Sequence, residues 1–133
     1  MTSPRARAVG AALTRLKRRA DFEKAAAARR RWVTPGLILQ VRRHDPGEDS
    51  HSCGSSIRVG FTVSRKVGGA VERNRVRRRL RAAVGQTLPA HAEGGHDFVV
   101  IGRQATLRRP YEALVTDLET ALKGLGVYRE TNR

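Results

Sequence analysis

Between residues 57 and 64 the chain alternates, with Ile57, Val59, Phe61 and Val63 on one side of an extended strand and Arg58, Gly60, Thr62 and Ser64 on the other. The alternation predicts a strand with one face in the core and one face open. Residues 37 to 41, following Pro35 and Gly36, read as another strand. Within residues 96 to 101, Phe98, Val99, Val100 and Ile101 form the unbroken apolar run expected of a strand covered on both faces. The rhythm then changes to 3.6 over residues 67 to 84, where Val76, Leu80, Ala83 and Val84 share one helical stripe. Asn74, Arg75, Arg77, Arg78 and Arg81 spread over the opposite side. After Pro110, the residues Tyr111, Leu114, Val115, Leu118, Leu122 and Leu125 recur at helical spacing, with Glu112, Asp117 and Glu119 outward. Asp21 is read as the cap of a short helix running from Phe22 through Ala28 and ending in Arg29, Arg30 and Arg31. Residues 42 to 56 and 85 to 95 read as loops. Strand, strand, helix, strand, helix is the order of an α+β domain.

Length and charge sharpen this picture. The chain has 133 residues, enough for one core, and a net charge of +15, which calls for an acidic partner. No apolar run approaches the roughly 18 residues of a membrane span, and no segment near the N-terminus resembles a signal peptide. A cytoplasmic protein with no membrane partner is expected, and the single Cys53 suits a reducing compartment. Residues 1 to 13 are expected to be a disordered basic arm, residues 14 to 126 the RNA-binding domain, and residues 127 to 133 a flexible tail. A transit peptide would have a composition like that of the arm. RNA contact is preferred because the basicity continues beyond it.

Six arginines lie between Arg73 and Arg81. Arginine's planar fork of donors matches phosphate oxygens two at a time, and like charges so dense repel one another within a helix. A merely solvated face would mix signs, so this face points to nucleic acid. Arg65 and Lys66 precede Gly68 and Gly69, a turn that could bring backbone amides to a phosphate or serve as a plain connector. Phe22 reads equally as a core anchor or as a platform for an unpaired base. His44, His51, Cys53, His91 and His96 lack zinc-site spacing, and the carboxylates are scattered, so neither a catalytic residue nor a metal ligand is assigned to the protein. Any chemistry must then lie in a partner. A DNA-binding regulator would need a second helix before the arginine helix at helix-turn-helix spacing, and none is predicted there.

Three blocks carry a resemblance: Arg18-Arg19-Ala20-Asp21-Phe22 with the helix after it, residues 58 to 68 (RVGFTVSRKVG), and residues 70 to 81 (AVERNRVRRRLR). Together with residues 96 to 103 and the last helix they resemble the protein component of bacterial ribonuclease P, over about residues 14 to 125. The resemblance implies an α-β-β-β-α-β-α two-layer sandwich, like the second domain of ribosomal protein S5, with the arginine helix in a left-handed βαβ crossover. It implies that an RNA subunit is the catalyst, using bound Mg2+ to remove the 5' leader from precursor tRNA, and that the protein alone is inactive. Carried over by position, Arg73, Asn74 and Arg75 would contact the catalytic RNA, with Arg77, Arg78 and Arg81 extending that surface. Phe22, Arg65 and Lys66 would line the leader cleft, with Lys17 and Arg18 beside them. One monomeric protein would pair with one RNA and with precursor tRNA. Ala26 and Gln40 stand where the family often has aromatics, which shifts the leader contacts towards charge. The rival reading is a non-catalytic ribosomal or other structural RNA-binding protein.

Overall fold

The computed structural model describes residues 13–16, 18–44 and 57–130, so Lys17, His51 and Cys53 lie outside the described residues. In chain order the elements are β1 (Leu13–Arg15), α1 (Arg19–Ala27), β2 (Arg31–Val33), β3 (Leu37–Arg43), β4 (Ile57–Thr62), α2 (Ala70–His91), β5 (His96–Gly102) and α3 (Tyr111–Gly124). From α1 onward this is the expected α-β-β-β-α-β-α order. The sheet runs β1-β4-β5-β3-β2. β4 and β5 are parallel neighbours, so α2 is the crossover between them, and β3 joins β5 antiparallel.

Burial follows the sequence pattern closely on one face. Leu37, Leu39 and Val41 of β3, Ile57 and Val59 of β4, and Phe98 and Val100 of β5 meet Val76, Leu80, Ala83 and Leu88 of α2 and Leu114, Leu118 and Leu122 of α3. Full burial of each such side chain contributes about 1.5 to 3 kcal/mol, which makes this layer the main source of stability. The second face of the sheet is covered as well. Helix α1 lies on it, where Leu16, Ala25 and Val99 form a smaller cluster with Phe22 and Ile101 packed against it.

Several expectations are corrected. The second face of β4 is closed at Gly60, where an added Cβ would sit 2.5 Å from the Phe22 ring, so only glycine admits that ring. α1 begins at Arg19 with Arg18 as its N-cap, and Asp21 lies in the first turn, where the helix dipole favours an acid. Arg29 takes a φ of 58° and turns the chain, so Arg31 opens β2 instead of ending the helix. α2 runs on through Gly85 and Pro89 to His91, because Thr87 and Leu88 continue its buried stripe. Pro89 forfeits a bond to the Gly85 carbonyl, and Gly85 faces solvent. Asp117 points inward: it is buried, accepts from Arg109 Nε at 2.7 Å and Nη2 at 3.0 Å, and accepts from the Gly36 amide at 3.1 Å. Beyond residue 126, Val127 is buried and Tyr128 bridges to Ala92, so packing continues into the expected tail.

Candidate nucleic-acid interface

The arginines of α2 have different fates, set by their angle around the helix. Arg75 and Arg78 are exposed on its outer side. Asn74, also exposed, accepts from Arg77 Nη1 at 3.1 Å, which fixes the direction of that guanidinium. The exposed Arg81 holds its guanidinium carbon 5.9 Å from the centre of the Phe61 ring, within cation–π range. Arg73 is half-buried, and its Nε has no hydrogen-bond partner among the described residues. Arg79 turns away from the others and donates from Nε to the Thr106 carbonyl at 3.0 Å and from Nη2 to the Arg109 carbonyl. It ties α2 to the turn before α3, so the choice of arginine there is structural.

A small cleft of about 100 Å³ opens beside this helix, lined by Arg15, Leu16, Phe22, Phe61, Arg77 and Arg81. Phe22 is half-buried, so it anchors the small cluster with one side of its ring and leaves the other available. The register places Gly60, Val99 and Gln40 in one row across the sheet on the α1 side, with Phe22 over the Gly60 end. Arg18 is exposed one turn before Phe22, and its carbonyl accepts from the Asp21 and Phe22 amides. Arg65 and Lys66 are exposed in a 3-10 turn after β4, capped by Ser64, whose hydroxyl accepts from the Lys66 amide at 3.3 Å. Lys66 lines another recess, of about 490 Å³, with Ser64, Arg103 and Gln104.

The next row of the same face, Arg58, Asp97 and Arg42, holds an ionic centre. Asp97 is fully buried and accepts from Arg58 Nε at 2.7 Å and Nη2 at 2.9 Å and from Arg42 Nη2 at 3.1 Å, while His44 Nε2 lies 2.7 Å away. Burial pushes its carboxyl up, but the hydrogen bonds and charges of Arg58 and His44 prevail and hold it below the ordinary carboxylate value. Asp21 lies 3.6 Å from Arg58 Nη1 and links this centre to α1. Among the described residues no three His, Cys, Asp or Glu side chains gather as metal ligands.

The family model described as Ribonuclease P matches residues 11–126. The chain belongs to the ribonuclease P protein family. It is 55% identical over 124 residues to the ribonuclease P protein component of Paramagnetospirillum magneticum, covering 93% of this chain and 91% of that one. To the protein component of Ruegeria pomeroyi it is 47% identical, covering 83% and 84%. Two solved structures share the fold: the RNase P protein of Staphylococcus aureus, with a TM-score of 0.68 at 24% identity over 86% of this chain and 97% of that one, and that of Thermotoga maritima, with 0.62 at 24% over 78% and 90%.

Within this family member, the residues singled out by sequence divide into spatial groups. Phe22 shares its cleft with Arg77 and Arg81, while Lys66 faces its own recess. Arg75 and Arg78 form the outer face. Sequence reasoning missed Arg15, which only pairing with β4 at Val59 brings to the cleft. It also missed the cleft-lining side of Phe61, which alternation had assigned to the core.

Proposed function

We propose that this protein binds the catalytic RNA of ribonuclease P through Arg73, Asn74, Arg75, Arg77, Arg78 and Arg81, and holds the 5' leader of precursor tRNA through Phe22, Arg18, Lys17, Arg65 and Lys66. The observation that carries the reading is the exposed arginine face of α2, in which Arg75, Arg78 and Arg81 form no ion pair among the described residues while Asn74 orients Arg77. Guanidinium forks so placed suit phosphate oxygens. Mg2+ and the cleavage step are assigned to the RNA, since the buried acids Asp97 and Asp117 are committed to arginines of the fold. The protein acts as a monomer, one per RNA, in the cytoplasm, and its cations supply screening that metal ions otherwise provide.

Incubating precursor tRNA with the protein alone, with the catalytic RNA alone, and with both at low magnesium tests this. Leader removal is expected only with both, or far faster with both. Cleavage by the protein alone would overturn the reading, and so would an RNA whose low-magnesium rate the protein leaves unchanged, the outcome a ribosomal or structural RNA-binding role predicts.

A further inference from the structure

Further along the same flank of α2, a groove of about 310 Å³ runs between the helix and the β1–β4 edge of the sheet. Its floor is apolar, formed by Val59, Phe61 and Leu13, and its rim carries Arg15, Arg81 and Gly85. It shares Arg15, Val59, Phe61 and Arg81 with the Phe22 cleft and extends from there towards Gly85. Two observations indicate what it takes. Phe61 is half-buried with the Arg81 guanidinium 5.9 Å from its ring centre, so a base that swings this guanidinium outward can lie on the ring with the cation at its edge. Gly85 stands inside a helix, where glycine costs about 1 kcal/mol relative to alanine, yet an added Cβ there would meet nothing within 4 Å. Neither packing nor backbone geometry requires that glycine. Its effect is to keep the rim of the groove low.

We infer that this groove seats one unpaired nucleotide of the RNA partner, with its base against Phe61 and its flanking phosphates on Arg15 and Arg81. Charge selects the occupant: two exposed guanidinium groups on the rim would repel a basic peptide and find no counter-charge on a neutral one, whereas a base on an aromatic floor with phosphates outside satisfies both halves of the site. Paired RNA cannot enter, because its bases are already stacked. The inference rests on the reading that the arginine face of α2 meets RNA.

The test uses the full chain and two probes, a single-stranded hexaadenylate and an RNA duplex of equal phosphate number. Gly85→Phe fills the rim and should raise helix propensity, so the melting temperature should not fall. Its affinity for hexaadenylate should drop by about 5- to 100-fold, the range of base stacking, with the salt slope unchanged and duplex binding intact. Phe61→Leu, which keeps an apolar floor and removes the ring, should cause the same selective loss and covers the case in which Gly85→Phe does not fold. Arg75→Ala with Arg78→Ala should weaken both probes equally and flatten the slope. If those arginine changes act but neither groove variant alters hexaadenylate binding, the groove is not a nucleotide seat. If the arginine changes also do nothing, the RNA reading of α2 itself fails.

Discussion

Phe22→Ala separates anchoring from leader binding, because the ring's two sides have different surroundings. Truncating a fully buried phenylalanine costs about 3 to 5 kcal/mol. Phe22 is half-buried against the Leu16, Ala25, Val99 and Ile101 layer, so the cost here should be nearer 2 kcal/mol, and the melting temperature should fall by roughly 8 °C. If the free side of the ring stacks on a leader base, the holoenzyme should also lose about 1 to 3 kcal/mol of affinity for precursor tRNA, and none for mature tRNA, which has no leader. Ala26 is exposed and Gln40 lies in the row that ends under Phe22, so neither position adds an aromatic to the stack and the loss should fall near fivefold. Arg65 and Lys66 should carry more of the leader affinity. A companion variant, Gly60→Ala, pushes the ring aside without removing it, since the new methyl would lie 2.5 Å from it, and should give the same precursor-selective loss. Thermal melts beside the affinities of the reconstituted holoenzyme for both tRNAs decide the matter. A lowered melt with an unchanged precursor-to-mature ratio in both variants would refute the cleft and leave Phe22 as an anchor.

Asp97→Asn should destabilise the fold by about 3 to 5 kcal/mol in urea unfolding, because Arg58 and Arg42 then lose their buried counter-charge. Since the Asp97 carboxyl is held below its ordinary value of about 3.9, the unfolded chain takes up its proton first as pH falls, so this contribution is present above about pH 4 and lost below it. Urea midpoints measured from about pH 6 downward should show a drop below pH 4 that Asp97→Asn lacks. Arg75→Ala with Arg78→Ala should flatten the plot of log affinity for catalytic RNA against log salt by about one unit for each phosphate no longer neutralised, with an unchanged melt. Arg79→Ala should do the reverse, since among the described residues it bonds to the Thr106 and Arg109 carbonyls: the melt falls and the salt slope stays.

Elements whose periodicity is long and uninterrupted are legible in the sequence. β4, β5, the first half of α2 and α3 each bury the stripe their hydrophobic spacing marks, because burial of that stripe is what makes them stable. The sequence also placed the arginine run on the outer side of a helix and, through its motifs, identified the family. What it did not determine depends on contacts between distant residues. β1 and β2 are three residues each, too short to show a period, and exist through their pairing with β4 and β3. Gly85 and Pro89 signal a break locally, but burying Thr87 and Leu88 against the sheet outweighs that signal and carries α2 to His91. The six arginines look equivalent in the sequence, and only their angles around a packed helix separate Arg79, bound to backbone carbonyls, from Arg75 and Arg78 in solvent. Asp97, Arg58 and Arg42 lie far apart along the chain, and the strand register alone brings them together. Periodicity reports which side of an element is buried, whereas the partner across that burial is set by tertiary packing.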